Sequence, residues 1–307
     1  MIKQILSLPQ NTPDAVPYIL SGLIPIEGQL YIKTLTFIYS IFLLPKESTE
    51  NMIAYRQLYI KDYKSSSWFV EMKKIIWKYN LPDIYKLLDR PYAKMQWKQI
   101  VYEKVHKYWK EQTIRISELY KHLGYLNIYE YKPGKQHPFI CIPISSVRDA
   151  NRIPVKLKLV SGTYVFQANR ANSNQNKVDA TCLLCNAEDE NMEHFLLHCS
   201  VLDEIRKSAY HDMDNEYCKL TQMKLEDLTV KKIAVILGCS ILLNNSTYQS
   251  TQHRVTIKNL SALEFHCRRY VYNLHSARYN MLAKIRARKR YDSLPTPPLS
   301  YSAFLWL

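Results

Sequence analysis

Apolar side chains recurring every three or four positions dominate the first third of the chain, the pattern of helices that bury one face. Phe69, Met72, Ile76 and Tyr79 form one such stripe, and Trp97, Val101, Val105 and Tyr108 form another. A longer stripe runs through Leu260, Leu263, Cys267, Val271, Leu274, Ala277, Met281 and Ile285 and predicts one long amphipathic helix. Punctuation residues set the bounds. Thr12 with Pro13 reads as an N-cap and first helical residue. Pro25 opens a helix that Pro45 ends, and further helices are expected over 49–63, 66–79, 81–88 and 95–123. Pro133, Gly134 and Pro138 break the pattern, and 137–144 reads as extended. Pro154 starts a short helix, with Gly162 as a left-handed cap. A polar loop over 171–177, an amphipathic helix over 201–210 and an apolar helix over 231–243 complete a mainly α chain.

Candidate chemistry begins at Cys182-Leu-Leu-Cys185, followed by His194 and Cys199, a C-x2-C-x8-H-x4-C run. Three thiols and one imidazole within 18 residues suffice for one closed, four-coordinate Zn2+ site. Four protein ligands leave no open position, so such a zinc is structural and not catalytic. Two cysteines separated by two residues make a tight turn that aims both sulfurs at one ion. Residues 190–197 are helix-forming, with Met192, Phe195 and Leu196 on an apolar side, and a helix there carries His194 towards that turn. Cys199 lies five residues beyond His194, so the helix has to end or loosen near His198. His198, at i+4 from His194, is the rival fourth ligand. Cys199 is preferred because thiolate suits zinc and no cysteine of the run is then orphaned. The total of seven cysteines is odd and no secretory signal is visible, which points to an intracellular, reducing setting. Cys141, Cys218, Cys239 and Cys267 read as small buried hydrophobes.

Charge changes the picture next. The net charge of +15 suits a polyanionic partner, RNA and/or DNA. Its distribution is uneven. Residues 178–205 contain no Lys or Arg and seven acids, so this segment repels phosphate. Residues 55–115 carry 14 Lys and Arg, six acids and 13 aromatics, a mixture suited to a single strand or a duplex backbone. Residues 254–290 carry ten Lys and Arg against Glu264 alone, and their IRARKR end also has the form of a nuclear import signal. Candidate phosphate contacts are Lys73, Lys74, Lys104, Lys107, Arg268, Arg269, Arg278, Arg286, Arg288, Lys289 and Arg290. No apolar run is long enough to span a membrane; the longest uncharged one, 34–45, is too short.

The run CLLC...MEHFLLHC, with RIPVKLKLVSGTY before it, resembles the zinc-binding module downstream of the polymerase in non-LTR (LINE-type) retrotransposon reverse transcriptases. The segment IKQILSLPQNTPDAVPYILSGLIPIEGQL resembles the thumb side of such enzymes, and the likeness covers about residues 1–210. It implies metal ligands at Cys182, Cys185, His194 and Cys199, and a role in holding template RNA or target DNA. The departure matters as much. The family's palm carries adjacent aspartates that hold magnesium, and this sequence contains no Asp-Asp pair. The expectation is therefore a non-catalytic, nucleic-acid-binding region. The alternative is a zinc-stabilised interaction module that packs against a polymerase domain or another protein. The expected organisation is a helical thumb-like bundle over 1–132, a linker with a short helix over 133–177, a small structural zinc-binding module over 178–210 and a helical basic region over 211–307 containing the long helix.

Overall fold

Helix is the only regular element among the described residues of the computed structural model, which are 1–61, 63–174, 177–227, 232–239, 242 and 257–292, of which 289–292 are described by their backbone only. Backbone pairing of the β type is limited there to two isolated bridges, Lys132 with Lys135 and Thr181 with Asp189. The chain divides into two units, Met1–Cys141 and Ile142–Leu307, and the boundary falls within the stretch expected as a linker.

The first unit contains α1 (Ile2–Ile5), α2 (Ala15–Ser21), α3 (Ile26–Phe42), α4 (Thr49–Ile60), α5 (Trp68–Lys78), α6 (Ile84–Asp89), α7 (Lys94–Glu118) and α8 (Pro138–Cys141). Short polar side chains start two of them. Ser48 Oγ accepts the Asn51 N–H at the head of α4, and Asp83 accepts the Tyr85 N–H at the head of α6. The core is the apolar face of α3 against α7. Trp97 is fully buried, stacks on Tyr39 at 4.8 Å and donates its indole N–H to the Leu35 carbonyl at 3.0 Å. Gly22 ends α2 at φ 72°, and a Cβ there would lie 2.1 Å from the Lys135 carbonyl oxygen, so only glycine fits.

The second unit contains α9 (Val147–Ala150), α10 (Ile153–Val160), α11 (Gln167–Ser173), α12 (Asp203–Thr221), α13 (Lys232–Leu237) and α14 (Leu260–Asp292). The inner face of α14 packs on α12, α10 and α13 through Leu260, Leu263, Cys267, Val271 and Leu274. Gly162, at φ 66°, closes α10 as expected: its N–H reaches the Leu159 carbonyl at 3.0 Å, and the Thr163 N–H reaches that of Lys158 at 2.9 Å.

Several boundaries differ from expectation. The helix expected at Pro13 starts at Ala15, with Asp14 as its cap residue. Within the stretch 137–144, expected as extended, Pro138–Cys141 forms a helical turn, in which the His137 carbonyl accepts N–H groups from Ile140 and Cys141. The expected loop over 171–177 begins with α11, and the helix expected over 201–210 continues to Thr221. Cys141 is exposed, while Cys239 and Cys267 are buried as expected. Of the helix expected over 231–243, residues 232–239 and 242 are described, and Lys232–Leu237 of them form α13. No described helix is long and apolar enough to cross a membrane.

Candidate metal centre

The two cysteines of the Cys-x2-Cys run sit on a knuckle folded by backbone bonds, with Asp179 accepting from the Thr181 N–H and hydroxyl at its start. Cys182 N–H donates to the Glu188 carbonyl at 2.8 Å, Glu190 N–H to that of Ala180 at 2.9 Å, and Asn186 N–H to that of Cys182 at 2.9 Å. Asn186 takes φ 53°, a left-handed position that asparagine tolerates, and turns the chain just after Cys185. Amide N–H groups then point at the sulfurs: those of Leu184 and Cys185 at Cys182, those of Ala187 and Glu188 at Cys185, and that of Val201 at Cys199. Donors placed this way stabilise thiolate.

The other half of the site is a widened turn. Residues His194–His198 form a π-helical turn in which the Cys199 N–H reaches the His194 carbonyl at 2.8 Å, five residues back. In an ordinary α-helix, positions five apart lie well apart around the axis; the wider turn brings His194 and Cys199 to one side. This is the loosening near His198 that the spacing requires. Asn191 Oδ1 caps the turn by accepting the His194 N–H at 2.8 Å. Arg206 donates to the carbonyls of Leu196 and Cys199 at 3.1 and 2.9 Å, and the Tyr270 hydroxyl donates to that of Leu196 at 2.5 Å. These side chains satisfy acceptors that helix does not use.

The result is a four-donor cluster. The ligand atoms of Cys182, Cys185, His194 and Cys199 all lie within 4.8 Å of one another. The Sγ atoms of Cys182 and Cys199 are 4.0 Å apart, and Cys185 Sγ is 3.4 Å from His194 Nε2. A tetrahedral ion with ordinary zinc bond lengths sets two sulfurs about 3.8 Å apart and sulfur about 3.6 Å from nitrogen. The donors thus fit one such ion. Burial pushes the Cys199 thiol up to about 12 and raises Cys182 too, so these two sulfurs are held as thiolates only beside a cation. For Cys185, burial acts upward, but the Ala187 N–H, the Cys182 thiol, the Glu188 N–H and the Cys199 thiol together outweigh it and the thiol is lowered. His194 Nδ1 lies 3.1 Å from Glu188 Oε2, which orients Nε2 towards the sulfurs. His198 is a half-exposed side chain beside Glu193 and is not part of the cluster; of the two rivals, Cys199 closes it.

The knuckle is tied to the long helix. Glu190 is buried, and Arg278 of α14 donates to both its oxygens at 2.7 Å while the Gln167 N–H donates at 2.9 Å. The guanidinium also lies over the rings of Tyr164, Phe166 and Phe195. The acidity of the segment is therefore partly internal wiring. The reading from sequence missed Glu188, Glu190 and Arg206; the one available signal was an acidic run flanked by Lys177 and Arg206.

The candidate phosphate contacts separate into groups. Arg268 is 3% exposed, held by Glu264 at 3.1 Å and Asp149 at 2.9 Å, and Lys156 completes this buried network at 2.7 Å from Glu264. Arg268 and Arg278 are thus corrected to internal ion-pair partners, because carboxylates from distant segments meet α14 at those two positions. Arg269 is paired with Asp212. Lys73 donates to the Tyr85 hydroxyl at 2.8 Å, and Lys74 pairs with Glu71 at 2.6 Å. Lys104, Lys107, Arg286 and Arg288 are exposed. The side chains of Lys289 and Arg290 lie outside the described residues. Compared with protein-family models, curated proteins and solved structures, the chain matches none.

Proposed function

We propose that this chain is a zinc-stabilised, nucleic-acid-binding region of the kind found on the thumb side and in the zinc-binding module of non-LTR retrotransposon reverse transcriptases. It holds RNA or DNA and does not itself catalyse nucleotidyl transfer. Cys182, Cys185, His194 and Cys199 hold one zinc ion, whose role is to fix the fold. The observation that carries the reading is this donor set, gathered within 4.8 Å from the same residues that bear the resemblance. Glu188 orients the imidazole, Arg206 and Tyr270 hold the widened turn, and Glu190 seats α14 through Arg278. Exposed cations, among them Lys104, Lys107, Arg286 and Arg288, supply the attraction for phosphate. The basic end of α14 also suits a nuclear setting.

Metal analysis of the purified protein is expected to find one zinc per chain. Filter binding to RNA and DNA at several salt concentrations is expected to show log affinity falling steeply with log salt. A metal-free protein or a flat salt plot counts against the reading.

One observation favours a second reading, a module that docks on a polymerase or another protein. The outer face of α3 exposes Ile26, Leu30 and Phe37 at 67%, 53% and 60%, with Leu23 just before it. A helix apolar on both faces normally has both covered. Gel filtration of this chain mixed with a separately expressed palm domain tests it, and the absence of a joint peak removes this version.

A further inference from the structure

The rings of residues 55–115 are not all core. Trp97 is buried, but Trp77 is 68% exposed, Tyr63 52% and Tyr59 56%. An indole this open is unusual on a surface without a partner. The exposed rings are also arranged. Tyr63 and Trp77 lie with centroids 6.3 Å apart, and the Lys74 ammonium sits 5.0 Å over Tyr63. Tyr59 lies against Tyr55 at 5.2 Å with an interplanar angle of 14°, and its other neighbour is Tyr85 at 4.8 Å. Helix α4 carries Tyr55 and Tyr59 four residues apart, a rise of about 6 Å.

Cations accompany these rings. Arg56, Lys61 and Lys64 are exposed on the same helix and the chain just after it. Lys73 and Lys74 are committed to Tyr85 and Glu71. The open positive charge is therefore supplied by residues other than the lysines that the sequence singled out.

We propose that this face, built on Tyr59, Tyr63 and Trp77 with Arg56, Lys61 and Lys64, binds single-stranded nucleic acid by stacking unpaired bases on the rings and holding phosphates with the cations. The proposal rests on the nucleic-acid-binding reading and adds the place and the form of the ligand. Base stacking requires a face of the base that is free. Duplex bases, spaced about 3.4 Å along each strand, have already given theirs to their neighbours. The Tyr63 and Trp77 rings, 6.3 Å apart, match a strand drawn out of that stack. The positive balance selects a polyanion over an apolar peptide.

The test is fluorescence anisotropy with labelled oligouridylate, oligothymidylate and a duplex of the same length, using the full chain. The expected order is single strand above duplex, with tryptophan emission quenched on binding. Trp77→Ala is expected to weaken single-strand binding about tenfold, within the range for one lost base stack. Trp77→Phe should keep most of the affinity, and duplex affinity should not move. Lys61→Gln with Lys64→Gln should flatten the single-strand salt slope by about 1.4, at about 0.7 per phosphate. Thermal melts of the variants confirm that they fold. If Trp77→Ala leaves single-strand affinity intact while steep salt dependence persists, this face is wrong and the general reading stands. If the unaltered chain binds none of the three probes, both are wrong. Preference for uridylate or thymidylate separates RNA from DNA as the natural source.

Discussion

Between residues 55 and 115, exposed lysines stand along the outer sides of their helices, whereas along α14 the arginines at 268, 269 and 278 each turn to a carboxylate. Both stretches read alike in a charge count. They differ in what surrounds them and in residue type. Guanidinium presents a planar fork that matches a carboxylate, so Arg278 can take both oxygens of Glu190 in a buried setting. An ammonium is more strongly hydrated and stays outside more readily, although Lys156 shows that it can be buried between well-placed acceptors. Positive charge in the second unit thus divides between internal wiring and the exposed end of α14.

The largest expected effect comes from removing the zinc ion proposed above. A strong chelator should unfold the knuckle and loosen α14, because a structural zinc contributes on the order of 10 kcal/mol to such modules. Circular dichroism with limited proteolysis should show the second unit lost before the first. Simultaneous loss of both units breaks the comparison. Next, Glu264→Gln leaves Lys156 and Arg268 buried with one carboxylate fewer and should cost about 3–5 kcal/mol in denaturant melts. Arg278→Lys keeps the charge and loses the fork; a smaller loss, about 1–3 kcal/mol, is expected for the second unit.

The first unit carries a pH effect. Burial lowers the pKa of His137, whose Nδ1 accepts the Phe139 N–H at 3.2 Å while Nε2 faces the Asn127 carbonyl at 3.1 Å. The folded value lies below the unfolded one, so this stability is present above about pH 6.5 and lost as pH falls through the folded value. His137→Gln should make melts of this unit less sensitive to acid between pH 7 and 5. The smallest effect is expected on the outside. Lys104→Gln and Lys107→Gln should change stability by under about 0.5 kcal/mol, while flattening the salt dependence of nucleic-acid binding. A stability loss comparable to that of Glu264→Gln would erase the contrast.

The helices were legible wherever one face alone is apolar. Trp97, Val101 and Val105 announce α7, and Leu263, Cys267, Val271 and Leu274 announce α14. Boundaries were less so where backbone bonds from elsewhere decide them, as at residues 137–144, where the His137 N–H donates to the Leu20 carbonyl. The cluster residues were visible because four ligands within one short run need only local folding. Arg278 was misread because its partner, Glu190, lies 88 positions away; Arg268 has Glu264 one turn back on its own helix, but its second partner, Asp149, lies 119 positions away. Spacing along one helix carries no trace of a carboxylate arriving from another segment. Trp77 lies off the stripe of Phe69, Met72, Ile76 and Tyr79, and its exposure follows from that spacing, whereas Met72 and Ile76 on the stripe are buried.

The turn at His194–His198 acts as a phase shifter. It holds one residue more than an ordinary turn would use, and its widening absorbs that surplus, so that Cys199 stays in reach of its companions. Inserting one further residue would put the final thiol six positions from His194, off that side under ordinary and widened winding alike, while leaving the charge unchanged. A single-residue insertion there should be as damaging as losing a ligand, which gives this short stretch a length requirement as strict as its requirement for particular side chains.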